Sequence, residues 1–311
     1  EKGDFYGITE PLATNLDTPN NEELEMVKAK KIKAIIEKKM VRKIEPRAGR
    51  IDYDVDGNGV ACVASSALTK FFDFPEEKLH QLVGDRLTEG YGLSDGVCNR
   101  ILAMNPRPSL VVTGDCGSSD EARIARLKAE NIDVIVSDHH HFPIEGPPQS
   151  AYAVVSPIHP DSKYPDPTIC GATVTWLLMV MVRGQLLETG YKEDIPKLSS
   201  LLDYCGLATI ADCVSMASVN NRAIVKQGLH LINRHVRPAW DVYAQSANSE
   251  CITATDIAFG LSALINASGR LSSAFKSVSF LNATSFEQAH EDYAILTAEN
   301  EERKTIERGL T

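Results

Sequence analysis

Short apolar runs alternate with amphipathic runs of helical length along most of the chain. The pattern predicts strands near 50–54, 79–83, 109–114, 133–137 and 151–155, with helices over 58–72, 94–104 and 119–130 between them. Strand and helix in strict alternation predict an α/β fold, a parallel five-stranded sheet flanked by helices and joined by right-handed crossovers. An apolar helix follows from 171 to 187, and another apolar stretch over 198–211 leads into Asp212. From 222 onward the pattern is mainly helical. Ser285-Phe286-Glu287-Gln288 has the form of a capping box and opens a last helix over about 286–308. That helix would be roughly 35 Å long at 1.5 Å per residue. Its second half, Glu299-Asn300-Glu301-Glu302-Arg303-Lys304, is charged all round, as a solvated connector is. At the other end, residues 1–22 read as an irregular arm, and Asn21 is placed to cap a helix over about 22–43 that stops before Pro46. The expected plan is therefore an arm and helix over 1–49 and an α/β domain over 50–215. A helical extension over 216–284 and a long C-terminal connector helix over 285–311, leading to a second domain beyond this chain, complete it.

Composition changes this picture little. The 311 residues are 43% hydrophobic and 24% charged, ordinary for a globular protein with a sizeable core. No run of about 18 apolar residues is present and residues 1–22 lack a basic start with an apolar core, so neither a membrane span nor a secretory signal is expected. The seven cysteines are scattered and never spaced Cys-x-x-Cys, which suits reduced core thiols and a cytoplasmic setting. Cys116 and Cys213 each follow a carboxylate of interest and are read as packing residues. The net charge of −10 argues against coating nucleic acid through broad electrostatics. A nuclease remains compatible with it, because bound divalent ions reverse the sign of a site locally.

The chemistry collects where apolar runs end. Asp52-Tyr53-Asp54-Val55-Asp56-Gly57 follows Ile51, Asp115 follows Leu110-Val111-Val112-Thr113-Gly114, Asp138-His139-His140 follows Asp133-Val134-Ile135-Val136-Ser137, and Asp212 follows Gly206-Leu207-Ala208-Thr209-Ile210-Ala211. An Asp-rich surface turn, a plain Asp-Cys-Gly turn, a solvated His-His loop and a helix cap would each account for one of these alone. In a parallel sheet, however, ligands bind at the carboxyl ends of the strands, so the four together predict one site. Strand alternation would point Asp54 and Asp56 to the same side, where two carboxylates repel unless a cation lies between them. Imidazole with carboxylate suits Mn(II) or a similar first-row ion, with Mg(II) less satisfied by histidine. Two such ions would clamp the attacking and leaving oxygens of a phosphoryl transfer, with Asp115 as the natural bridge. A second cluster, Asn266-Ala267-Ser268-Gly269-Arg270-Leu271, reads as a small-residue turn that would present N–H groups and a guanidinium to a phosphate oxygen, or as a structural arginine turn. Arg86 could join it or form a structural ion pair. Tyr91 could stack on a base or pack internally.

Taken together with Glu89-Gly90-Tyr91-Gly92-Leu93 and Asn220-Asn221-Arg222, these motifs resemble the DHH phosphoesterase superfamily, and within it the RecJ-type single-stranded-DNA exonucleases, over about 50–308. The resemblance implies a metal-dependent 5′-to-3′ exonuclease that releases mononucleotides from single-stranded DNA and uses two Mn(II) or Mg(II) ions. It implies Asp54, Asp56, Asp115, His139 and Asp212 as metal ligands, and His140 as a ligand or a contact to the scissile phosphate. Asp138 would orient an imidazole and Arg270 would bind phosphate; Asn266, Arg86 and Tyr91 stand beside it as substrate-binding candidates from the residue pattern alone. Expected partners are single-stranded DNA and, among proteins, a single-strand-binding protein or helicase. The glycine-rich, His-containing motif of the family's second domain is not found here. Val55 replaces the family's usual alanine, and Asn58-Gly59 a β-branched or small polar pair. Arg50 stands where some relatives carry a histidine, which predicts a weaker hold on the first ion. The alternatives are a DHH hydrolase of short oligonucleotides, cyclic dinucleotides or pyrophosphate, against which Arg50 argues, and a non-catalytic DHH scaffold, against which the complete ligand set argues.

Overall fold

The computed structural model describes residues 47–84, 88–271 and 275–309. The predicted arm and helix before residue 47 lie outside them, as do Arg86 and the side chains of Arg50 and Arg270.

Five strands form one parallel sheet: β1 (Arg47–Ile51), β2 (Leu79–Val83), β3 (Leu110–Gly114), β4 (Asp133–Ser137) and β5 (Ala153–Val155), in the order β2-β1-β3-β4-β5. Register is continuous across the centre: Ile51 pairs with Gly114, and Gly114 with Ser137. The last residues of β1, β3 and β4 thus lie side by side. β3, β4 and β5 are short and apolar because both faces are covered. Alternate residues serve two different cores: Leu110, Ile135, Ala153 and Val155 pack into one, Val111, Val134 and Val136 into the other. The first core is roofed by α1 (Val55–Ser66), α4 (Gly171–Glu188) and α5 (Leu202–Ala211), the second by α2 (Asp95–Ala103) and α3 (Glu121–Ala129). Because the helix after β1 covers one face and the helix after β3 the other, the chain diverges between these two strands. That divergence opens a crevice at their carboxyl ends.

Beyond the sheet the fold is helical, as expected: α6 (Val219–Asn233), α7 (Pro238–Ala247), α8 (Ser262–Leu271), α9 (Phe275–Asn282) and α10 (Phe286–Gly309). Ser285 Oγ accepts from Gln288 N at 3.1 Å, while the Gln288 side chain reaches back one residue further than a capping box requires, to Thr284 N at 3.1 Å. Glu299 and Asn300 of α10 are buried, so its polar half is seated on the body at that turn. Among the described residues no helix is long and apolar enough to cross a membrane.

Four sequence expectations need correction. The helix expected over 58–72 starts at Val55, so Asp54 is its cap and Asp56 lies in its first turn; strand alternation does not relate them. Asp212 ends the helix α5, not a strand. The stretch 266–271 is the interior and end of α8, not a turn. Its small residues are there for packing: Ala267 and Ser268 are fully buried, and a Cβ on Gly269 would overlap the carbonyl of Tyr53. Backbone N–H groups of a helix interior are committed to i−4 carbonyls, so this segment offers a phosphate no backbone nest. Finally, only five of the seven cysteines are buried: Cys213, in the turn leaving α5, and Cys251, in the loop after α7, are exposed. All seven are free thiols.

Candidate metal centre

Three strand ends and one helix end deliver the predicted acids and imidazoles to the crevice between β1 and β3. On leaving β1 the chain turns through Asp52 and Asp54 into α1. Asp54 caps that helix, its Oδ1 accepting from Gly57 N at 3.0 Å. A side chain at Gly57 would overlap the Asp52 carbonyl, so the turn closes only on glycine. Asn58, fully buried, donates its amide to the carbonyls of Tyr53 and Asp54 and clamps the turn from inside. The sequence marked Asn58 only as a departure from its relatives, without this role.

Asp56 caps a different helix. Its Oδ2 accepts from Gly171 N at 2.6 Å and its Oδ1 from Ala172 N at 2.7 Å, so the first turn of α4 is seated on this carboxylate. Burial pushes Asp56 up to about 6; His139 opposes the shift and Asp212 and Asp54 add to it, while the Ala172 amide pulls back. Nothing in the local sequence around Asp56 announced this long-range cap.

Asp115 follows β3 with φ of +58°, in the left-handed region that few non-glycine residues occupy. Its N–H donates to Ser137 O at 3.0 Å, so β4 fixes the conformation that turns this side chain into the crevice. Burial, then repulsion from Asp56, Asp54, Asp138 and Asp52, holds it well above the ordinary carboxylate range. Asp115 Oδ1 lies 3.1 Å from His139 Nε2 and 3.8 Å from His140 Nδ1.

Asp138 is the organiser of the Asp-His-His turn. Its Oδ2 accepts from Ser118 N at 2.9 Å; its Oδ1 accepts from the N–H groups of His139 at 2.8 Å and His140 at 3.2 Å, and pairs with His140 Nδ1 at 2.8 Å. Burial alone would raise this carboxyl, but His140 and Ser118 hold it below its usual range. The same bond, against burial, raises His140. The imidazole that Asp138 orients is thus His140. His139 instead points among carboxylates, its Nε2 3.6 Å from Asp56 Oδ2 and 3.7 Å from Asp212 Oδ2. Asp212, half-buried at the carbonyl end of α5, is raised by burial and by Asp54 against the two histidines. A carboxylate at the negative end of a helix is a poor choice unless a cation accompanies it.

Tyr91, exposed at the mouth, donates its hydroxyl to the Asp115 carbonyl at 3.2 Å and sets its ring edge-on to His140, centroids 5.7 Å apart. Asn266 is half-buried in α8, and the glycine of its motif sits against Tyr53. The motif therefore abuts the carboxylate-bearing turn through its backbone.

These groups fit a pair of divalent cations. Ligand-atom sets Asp56-His139-Asp212, Asp115-His139-His140 and Asp52-Asp54-Asp115 are each gathered within 4.8 Å. Asp115 Oδ1 and His139 Nε2 lie buried, facing one another, with no hydrogen bond to either. A carboxylate oxygen opposed to an imidazole nitrogen without a shared proton is repulsive, and a cation between them removes the repulsion. Mixed imidazole and carboxylate donors suit first-row divalent ions.

A model described as "DHH family, N-terminal domain" matches residues 49–209. Single-stranded-DNA-specific exonuclease RecJ of Haemophilus influenzae is 35% identical over 264 residues, covering 83% of this chain and 44% of the relative. That of Escherichia coli is 32% identical over 264 residues, with 83% and 45% covered. The chain thus spans less than half the length of these curated relatives. Among solved structures, exonuclease RecJ bound to manganese superposes with a TM-score of 0.77 at 26% identity, over 91% of this chain and 68% of the other. RecJ of Thermus thermophilus in complex with Mn2+ superposes with a TM-score of 0.74 at 25% identity, over 95% and 40%.

Proposed function

The chain belongs to the DHH family, its matched segment spanning residues 49–209, and from that membership and the geometry of the crevice we propose that it hydrolyses phosphodiester bonds of single-stranded DNA as a 5′-to-3′ exonuclease. The single observation that carries this reading is the buried confrontation of Asp115 and His139, flanked by Asp56 and Asp212. Asp54, Asp56, Asp115, His139 and Asp212 would hold two Mn(II) or Mg(II) ions, Asp115 and His139 each belonging to two of the donor sets. When bound, such ions lower the pKa of a water and neutralise charge developing on the phosphate.

The chain's own residues do the rest. Asp56 is held at fixed distance by two short amide bonds, so the site is pre-set before substrate arrives. His140, half-exposed and oriented by Asp138, would meet the scissile phosphate at the mouth or serve as a further ligand. Tyr91 lines the same opening. Arg270 and Asn266 would bind a neighbouring phosphate from α8, and Arg86 another. The seven free thiols support a reducing, cytoplasmic setting. A single-strand-binding protein or helicase would present the strand.

The test is incubation with single strands labelled at the 5′ or the 3′ end, with Mn(II) or with chelator. Mononucleotide release from the 5′ end, dependent on metal, is expected. Cleavage confined to dinucleotides would assign a small-substrate hydrolase, and binding without turnover a scaffold.

A further inference from the structure

We propose that Gly171, at the first turn of α4, is a positioning residue that sets where the Asp115 and Asp56 carboxylates stand in the metal centre. The inference rests on the metal-binding reading of that centre and deepens it. Gly171 touches both acids at once. Its N–H donates to Asp56 Oδ2 at 2.6 Å. On its other side, a Cβ built at this position would lie 2.8 Å from Asp115 Oδ1, 2.9 Å from its Cβ and 3.1 Å from its Cγ. Real side-chain carbons do not approach that closely, so Asp115 occupies the space that any other residue at 171 would need. The backbone at 171 has an ordinary helical role, so glycine is not there to supply an unusual conformation; it is there for lack of a side chain.

Neither neighbour has an easy escape. Asp115 is held by its N–H bond to Ser137 and by a left-handed backbone. α4 is anchored by burial on all sides, every residue from Gly171 to Val182 being buried. A methyl at 171 must therefore swing the Asp115 carboxyl away from His139, now 3.1 Å distant, or lift α4 off Asp56. Either movement alters the spacing of donors in the centre, which is the property that determines ion affinity and choice.

The experiment compares Gly171→Ala with Gly184→Ala in the same helix, where an added Cβ meets nothing within 4 Å. Mn(II) and Mg(II) affinities are measured by calorimetry on the metal-free chain, with its melting temperature alongside. Wild type and Gly184→Ala should bind Mn(II) equally. Gly171→Ala should bind it at least tenfold more weakly, with a changed Mn(II)/Mg(II) ratio, while retaining a cooperative melt without metal. Wild-type affinity in Gly171→Ala overturns the proposal; failure of wild type to bind Mn(II) at all instead overturns the reading of the centre. Should Gly171→Ala not fold, the same methyl is introduced beside Asp115→Gly, which removes the clashing atoms at a backbone suited to glycine. Recovery of folding in the double variant supports the contact, and no recovery overturns it.

Discussion

Asp56, Asp115 and Asp212 share one electrostatic problem: each is pushed above its ordinary range by burial first and by other carboxylates after. In the metal-free protein a proton is the substitute for the cation. The sign follows from proton counting. A carboxylate whose folded pKa is raised binds more protons folded than unfolded between the two values, so stability falls as pH rises through that window. For Asp56 the window runs from the usual value of 3.8 to about 6. In chelator, wild type should therefore lose stability from pH 4.5 to 6.5 relative to Asp115→Asn, which removes a carboxyl that is itself raised and adds its own share of the slope; parallel melting curves for the two would refute this. Saturating Mn(II) should reverse the slope, because ion and proton compete. At the same residue scale, Asp115→Ala should reduce turnover to below a few per cent with a cooperative melt intact, since the acid lost faces both histidines and stands among the other carboxylates. Arg270→Ala should raise KM for single-stranded DNA more than it weakens Mn(II) binding; an unchanged KM removes Arg270 from the phosphate role.

Elements were legible to different degrees for reasons that can be named. β3 and β4 sit where the apolar pattern placed them, because a strand buried on both faces shows as a bounded apolar run flanked by polar turns. The acids at the ends of β3 and β4 were legible for the same reason; β1, Arg47-Ala48-Gly49-Arg50-Ile51, is no such run and ends three residues before the strand expected over 50–54. The relation between Asp54 and Asp56 was misread: α1 begins immediately, and the second acid leaves its own helix to cap α4, 115 residues on. A long-range cap has no local pattern. The stretch 266–271 was misread because small residues signal either a turn or a helix face pressed against another backbone, and only the neighbour decides. Here the neighbour is the Tyr53 carbonyl. Gly269→Ala must push α8 away from the turn that carries Asp52 and Asp54, because a carbonyl oxygen cannot yield as a flexible side chain would. Overpacking of this kind costs roughly 1–3 kcal/mol. The expected result is a lowered melting temperature together with weaker Mn(II) binding; loss of stability without any change in ion affinity would separate α8 from the centre.

At the scale of the whole molecule, a chain of net charge −10 would be stabilised by any cation to some extent, so metal dependence must be separated from simple screening. The structure makes the separation possible. Diffuse neutralisation acts on exposed charges, decays over a Debye length of about 10 Å at 0.1 M salt, and is exhausted once salt is high. The centre is different: Asp56 and Asp115 are fully buried, and His139 contributes a nitrogen that sodium does not seek. An ion held there would join parts of the chain that fold around one crevice, the ends of β1, β3 and β4 and of α5, so its binding energy would be felt by the cooperative unit. At an Mn(II) concentration 100-fold above its Kd, linkage stabilises the native state by about 2.7 kcal/mol. For a cooperative chain of 311 residues that is a rise of roughly 4 °C in Tm. The rise should persist in 0.5 M NaCl, be smaller with Mg(II) at equal concentration, and vanish in Asp115→Ala. If 0.5 M NaCl alone reproduces the rise, or abolishes the increment due to Mn(II), the cations are acting on the surface of an acidic protein and the crevice does not hold them.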